Sequence, residues 1–158
     1  HNNMKRDIAI AQMQQFFDIR ELVPRDVYAR FGSTAWRFFD TELIETVVAL
    51  RTQILCVPLI CNNWHTGGTY TQRGLRVNTS PLVADKTERG VMYVSAHLLG
   101  KGIDLSSRKM TADEMRKAIQ ANERKLPYKV RIEKSENAPT WLHIDVMHSG
   151  GASKIEWF

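Results

Sequence analysis

The sequence predicts an α+β domain with a small, mainly antiparallel sheet, and three observations carry that prediction. Helical signals dominate the first third of the chain, above all the apolar stripe that follows Asp40. Short apolar segments suited to strands come later, at 102–105, 128–133 and 141–147. One capped helix beginning at Thr111 interrupts them, an order that suits helices set against a sheet better than alternating βα units. At 158 residues the chain has the length of one domain, taken as 4–158. His1-Asn-Asn ahead of Met4 reads as leftover expression sequence.

Taken in order, residues 8–17 have mixed periodicity and are expected to form a strand that leads into a short helical turn. Pro24 starts a brief helix whose apolar face is Val27, Tyr28 and Phe31, and Gly32 ends it. Asp40 is a natural N-cap, and Glu42 adds negative charge to the first turn. Leu43, Val47, Leu50 and Ile54 then recur at helical spacing, predicting a central helix to about Gln53. The run Leu55–Cys61 is expected to be a buried strand, with Pro58 keeping it from a fully bonded central place. From Asn62 to Ser80 the chain is a polar, glycine-rich loop carrying Trp64, His65, Tyr70, Arg73 and Arg76, and a loop this long inside a compact domain is usually functional or mobile. Val91–Val94 reads as extended. Thr111-Ala-Asp-Glu114 is a capping box, followed by a narrow apolar face of Met115, Ala118 and Ile119.

Composition excludes several classes. The apolar and charged fractions, 43% and 25%, are those of an ordinary globular chain, so disorder and fibrous repeats drop out. No run of eighteen apolar residues is present to span a bilayer, and no export signal is visible. The net charge of +5 suits an acidic partner such as nucleic acid or an anionic wall polymer. Lys and Arg are scattered, however, which argues against a nucleic-acid interface. Cys56 and Cys61 fall on opposite faces of the expected strand, so they read as buried free thiols and not as a disulfide.

The chemistry-bearing residues lie in two stretches, Ser95-Ala-His97-Leu-Leu-Gly100-Lys-Gly102-Ile-Asp104 and Trp141-Leu-His143-Ile-Asp145. In a strand, Trp141, His143 and Asp145 share one face while Ile144 and Val146 point to the core. Gly100 and Gly102 let the chain turn so that His97 and Asp104 reach one ion. Two imidazoles and a carboxylate are a three-ligand zinc set that leaves a position open for water or substrate.

Ser95-x-His97-x-x-Gly100-x-Gly102-x-Asp104 resembles the Ser-x-His-x-x-Gly-x-Ala-x-Asp motif of the peptidase M15 family. These are zinc D-Ala-D-Ala carboxypeptidases and phage endolysin-type peptidases with a hedgehog/DD-peptidase fold. Trp141-x-His143 resembles the Trp-x-His that brings the third zinc ligand. Gly74-Leu-Arg76 with Asn78 is similar to the family's Gly-Tyr-Arg-Ser segment. Phe17-Asp-Ile-Arg-Glu21-Leu-Val-Pro24 and the Asp40 helix look like the phage and prophage branch.

The resemblance implies Zn²⁺ held by His97, Asp104 and His143, and Ser95 supporting His97. It implies Arg76, or less directly Arg73, on a substrate carboxylate. The substrate would be a peptidoglycan stem peptide, cut as a D-Ala-D-Ala carboxypeptidase or an L-Ala-D-Glu endopeptidase does. With no leader visible, the expected setting is a bacterial or phage-infected cytoplasm, with action at the cell wall. Many members carry a general-base glutamate three residues before the last histidine, where this chain has Thr140. Asp145 is the expected substitute, with Glu133 and Glu136 less well placed. If no base substitutes, the alternative is a catalytically impaired zinc module that binds the wall or serves a structural role in a phage. Gly102 in place of the family's alanine reads as a minor change. Trp64, Tyr70, His65 and His148 are further candidates for lining the cleft.

Overall fold

A computed structural model describes residues 2–158 and shows five α-helices packed with a four-stranded mixed sheet. The first helix, α1 (Asn2–Gln14), corrects the expectation of a strand over 8–17. Ala9, Met13 and Phe17 recur every fourth residue and are all buried, which is helical spacing hidden among polar neighbours. The helix lies along α3 (Thr41–Ala49), and Arg6 pins it there by donating to Thr41 Oγ1 at 2.8 Å and to the Trp36 carbonyl at 2.9 Å.

Between them, α2 (Arg25–Phe31) begins after Pro24 and ends at Gly32, whose φ of 55° is the left-handed conformation that glycine adopts without strain. Asp40 caps α3 as expected, its Oδ1 accepting the Glu42 N–H at 2.8 Å. The helical stripe continues through a π-helical turn, Leu50–Ile54, so that Leu43, Ile44, Val47, Leu50 and Ile54 are all buried.

Leu55–Cys61 is not a strand. Cys56 takes a φ of 56° and Pro58 follows, which leaves one isolated bridge between Ile60 and Ser106. Cys61 is buried and free as expected, whereas Cys56 is exposed. A further helix, α4 (Pro81–Glu88), opens with proline in its first turn after Ser80, a signal the loop reading passed over. The capping box at Thr111 opens α5 (Ala112–Ala121), which turns Met115 and Ile119 into the core. No helix among the described residues is long and apolar enough to cross a membrane.

The strands are β1 (Gly102–Leu105), β2 (Val130–Ile132), β3 (Leu142–Asp145) and β4 (Ile155–Trp157), in the order β1-β3-β2-β4. β3 pairs antiparallel with both neighbours, and β4 adds a parallel edge to β2 that sequence reading did not anticipate. One face of the sheet is aliphatic: Ile103, Leu105, Ile132, Leu142 and Ile144 are fully buried, and α5 packs on β3. The opposite face carries Asp104, His143, Asp145 and Arg131. Arg116, buried on α5, donates to the carbonyls of Glu133 (3.0 Å), Trp141 (2.9 Å) and Ala138, clamping both ends of the β2–β3 hairpin.

The N-terminus of α3 is tied to the loop ahead of β1. Asp40 N–H donates to the Gly100 carbonyl at 2.9 Å, and Lys101 Nζ donates to Asp40 Oδ2 at 2.7 Å. Burial pushes the Asp40 pKa up, but the hydrogen bonds from Lys101 and from the Glu42 N–H outweigh it, and the net shift is downward from 3.8. Asp40→Ala should therefore cost about 1–2 kcal/mol in urea unfolding at pH 7. A folded pKa below the unfolded value stabilises above about pH 4, and the gain is lost as pH falls through the folded value. The difference between wild type and variant should close in that acidic range.

Candidate metal centre

His97, Asp104 and His143 come together on the polar face of the sheet as a buried group that can hold a metal ion, their ligand atoms all within 4.8 Å of one another. Pairing of β1 with β3 sets Asp104 directly across from His143. The Asp104 N–H points away from β3, to the Arg73 carbonyl at 2.8 Å, so the Asp104/His143 pair is a non-hydrogen-bonded one. Side chains of such pairs approach most closely. His97 arrives from the irregular segment ahead of β1, and its carbonyl accepts the Arg76 N–H at 3.1 Å.

Each imidazole has one nitrogen fixed and one aimed at Asp104. His97 Nδ1 bonds the Gly74 carbonyl at 2.8 Å, and its Nε2 lies 3.3 Å from Asp104 Oδ1. His143 Nε2 bonds Asp145 Oδ2 at 2.7 Å, and its Nδ1 lies 2.9 Å from the same Asp104 oxygen. Partners on the far nitrogens set the tautomers, so that each ring, when neutral, has its lone pair on the near nitrogen. Metal–ligand bonds of about 2.0–2.1 Å around a tetrahedral ion set neighbouring donor atoms about 3.3 Å apart, and the 3.3 and 2.9 Å separations from Asp104 Oδ1 lie near that spacing.

The glycines of the motif differ in their duties. A Cβ on Gly100 would lie 1.8 Å from the Phe38 carbonyl oxygen, and its φ is 66°. A Cβ on Gly102 would lie 2.6 Å from the Ala96 methyl and 3.3 Å from His143 Cε1. Alanine at 102 is therefore not the minor change that sequence reading took it to be.

His97, Asp104 and His143 open onto a cleft of about 390 Å³ lined also by Arg76, Tyr93, Val94, Ser95, Arg131, Glu133, Trp141 and Phe158. Arg76 is among the lining residues: its guanidinium sits 3.5 Å from Asp104 Oδ2 and donates to Tyr93 Oη at 2.5 Å and to the Gln72 carbonyl. Ser95 supports His97 in a different way from the one expected. Its Oγ accepts the His97 backbone N–H at 3.2 Å, and the Gly74 carbonyl takes the ring.

Five candidates lie elsewhere, among them Tyr70, which is exposed and does not line the cleft. Arg73 is spent on Ser106 and stacks 3.6 Å from the centre of the Tyr70 ring. Trp64 is buried, its Nε1 donating to the Val23 carbonyl. His65 faces a separate recess with Glu21 and Asn62. His148 bonds the Ser153 carbonyl.

Asp145 requires the largest correction. It is fully buried and is not among the residues that line the cleft. Oδ1 accepts from Arg131 Nε at 2.9 Å and Met147 N–H at 3.0 Å; Oδ2 accepts from Arg131 Nη2 at 2.8 Å and from His143. With four hydrogen bonds it has no oxygen left for a cleft water, so its place is behind His143 as an anchor. Tyr93 and Phe158 escaped sequence reading: Tyr93 stands in an irregular segment, and Phe158 follows the unanticipated β4, meeting the His143 ring edge-on at 5.6 Å.

Charge is balanced around the centre. Burial raises the Asp104 pKa, but hydrogen bonds to His143 and His97 more than reverse it, leaving the carboxyl well below its ordinary 3.8. Burial likewise disfavours a charged His143, yet the bonds to Asp104 and Asp145 win and lift its pKa from 6.5 to about 9. Metal and proton therefore compete for Nδ1.

Comparison with family models, with curated proteins and with solved structures returned no match.

Titrating a divalent metal into chelator-treated protein near pH 7 should release about one proton per ion. Affinity should weaken about tenfold per pH unit on going below the His143 value, and an affinity indifferent to pH between about 6 and 8 would remove His143 from the ligand set. Gly102→Ala should cost about 1–3 kcal/mol in thermal or urea unfolding, because the added methyl has rigid neighbours. An unchanged midpoint would mean that Ala96 gives way freely.

Proposed function

We propose that the chain is a zinc-dependent peptidase that hydrolyses the stem peptides of peptidoglycan, as a D-Ala-D-Ala carboxypeptidase or an L-Ala-D-Glu endopeptidase. This reading takes the fold to be that of hedgehog/DD-peptidases and the protein to be a peptidase M15-like enzyme of the phage endolysin kind, acting at the cell wall. The observation that carries it is the union of two separate motif halves, His97/Asp104 and His143, in one buried ligand set beneath a cleft that also holds Arg76.

A set of two imidazoles and one carboxylate suits zinc among the common divalent ions. Bound there, zinc would supply polarisation of an amide carbonyl and a water acidic enough to act near neutral pH. The protein's own residues do the rest. Asp145, held by Arg131, keeps the Nε2 proton on His143, and the Gly74 carbonyl does the same for Nδ1 of His97. Arg76, fixed by Tyr93 and the Gln72 carbonyl, offers a guanidinium edge to a peptide carboxylate. Trp141, Phe158 and Val94 are apolar walls against which the peptide backbone can be held.

Thr140 favours a second reading, a zinc protein that binds wall peptide without cutting it. It lies on a different groove with Arg108 and Met110 and has no basic oxygen to offer. Digestion of defined muropeptides followed by mass spectrometry separates the two. The peptidase reading expects loss of a terminal D-Ala or cleavage between L-Ala and D-Glu, with about one zinc per chain. His97→Ala should abolish both. Protein that carries no zinc, or that cuts equally well after His97→Ala, would sink the reading, and zinc-loaded protein that binds but never cuts would favour the second.

A further inference from the structure

We propose that Glu133 is the group that takes the proton from the attacking water, an inference that rests on the peptidase reading above. The register of the sheet carries it. β2 pairs with β3 through Arg131↔Asp145 and Ile132↔Ile144, and one residue further on the Glu133 N–H donates to the His143 carbonyl at 3.3 Å. Asp104, His143 and Glu133 thus form one row across three strands, and side chains in a row share a face. Glu133 lines the same cleft as the three ligands, together with Arg76 and Trp141.

The other acids are excluded by their positions. Asp104 has its oxygens facing the two histidines and Arg76. Asp145 is fully buried with four hydrogen bonds. Glu136 is exposed on the β2–β3 hairpin and does not line the cleft. Glu133 is half-buried, and among the described residues its carboxylate makes no hydrogen bond or ion pair. Its backbone is held on both sides, by the His143 carbonyl and by Arg116 Nε on its own carbonyl at 3.0 Å. A fixed Cα with an uncommitted carboxylate on a three-torsion arm is what proton transfer in a cleft requires.

Residue 140, where the family's glutamate would stand, borders a separate groove in this chain, whereas Glu133 lines the cleft itself.

In the step itself, one O–H bond of the water breaks and its proton goes to a Glu133 Oε as the water oxygen bonds to the amide carbon. Glu133 then delivers that proton to the amide nitrogen as the C–N bond breaks. The products are a carboxylate and an amine, with the second water proton released to solvent, and Glu133 ends as it began.

The experiment compares wild type, Glu133→Gln, Glu133→Asp and Glu136→Gln on a muropeptide substrate. It reads kcat and KM, zinc per chain by elemental analysis, and affinity for an uncleavable stem-peptide analogue. Glu133→Gln should lose about 10²–10⁴-fold in kcat, with KM, zinc content and analogue affinity unchanged. Glu133→Asp should recover part of the rate, and Glu136→Gln should match wild type. Retention of kcat within about threefold in Glu133→Gln overturns the proposal, as does loss of zinc or of analogue binding in that variant. Wild type that cuts no muropeptide overturns the peptidase reading and this role with it; an active wild type with an active Glu133→Gln overturns this role alone.

Discussion

The pairing of β1 with β3, in the register that sets Asp104 across from His143, governs the whole centre. A slip of β1 by one residue would turn Ile103 toward the cleft and bury Asp104 in the aliphatic layer. The register is held from both faces. Ile103, Ile144 and Ile132 lock the core side, and on the other the Gly102 position admits no side chain because Ala96 and His143 already fill the space. From that alignment follows the meeting of His143 with Asp104; Asp145 sits two residues along the same strand, and the separate pairing of β2 with β3 brings Arg131 to it.

The electrostatics are organised as alternating signs. Arg131 neutralises Asp145, Asp145 fixes His143, His143 and His97 face Asp104, and Arg76 closes the series from the cleft side. Ionised groups this deep cost several kcal/mol each unless paired, and each here has a partner of opposite charge or a hydrogen bond. The arrangement explains why Asp145 cannot double as a proton acceptor: the bonds that let it orient His143 are the bonds that saturate it.

Much of this was legible in the residues themselves. Asp40 and Thr111 announced their helices because N-cap chemistry is local, and the Ser95–Asp104 motif with Trp141-x-His143 pointed to the three residues that come together as a group able to hold a metal ion. What could not be read depended on pairing between distant segments. Glu133 and Arg131 alternate with Val130 and Ile132, which marks a two-faced strand but not which neighbour it meets. Asp145 lies two residues from His143, a spacing that suggests a base; its four partners come from β2, β3 and the turn after it. The helix at 2–14 was missed because Ala9, Met13 and Phe17 are sparse anchors in a polar stretch, and their burial comes from packing against α3.

The bond from the Asp104 N–H to the Arg73 carbonyl has a consequence beyond the metal site. β1 is the outer strand of the sheet, and an outer strand with free N–H and C=O groups is a template for pairing with another chain. Here the segment that leads to Arg76 lies over that edge, and the bridge between Ile60 and Ser106 covers its far end. The loop that offers the cleft its cation also shields the domain from self-association. Shortening it would uncover an outer strand with free N–H and C=O groups, so the length of this loop is constrained by the strand it covers as well as by the cleft it borders.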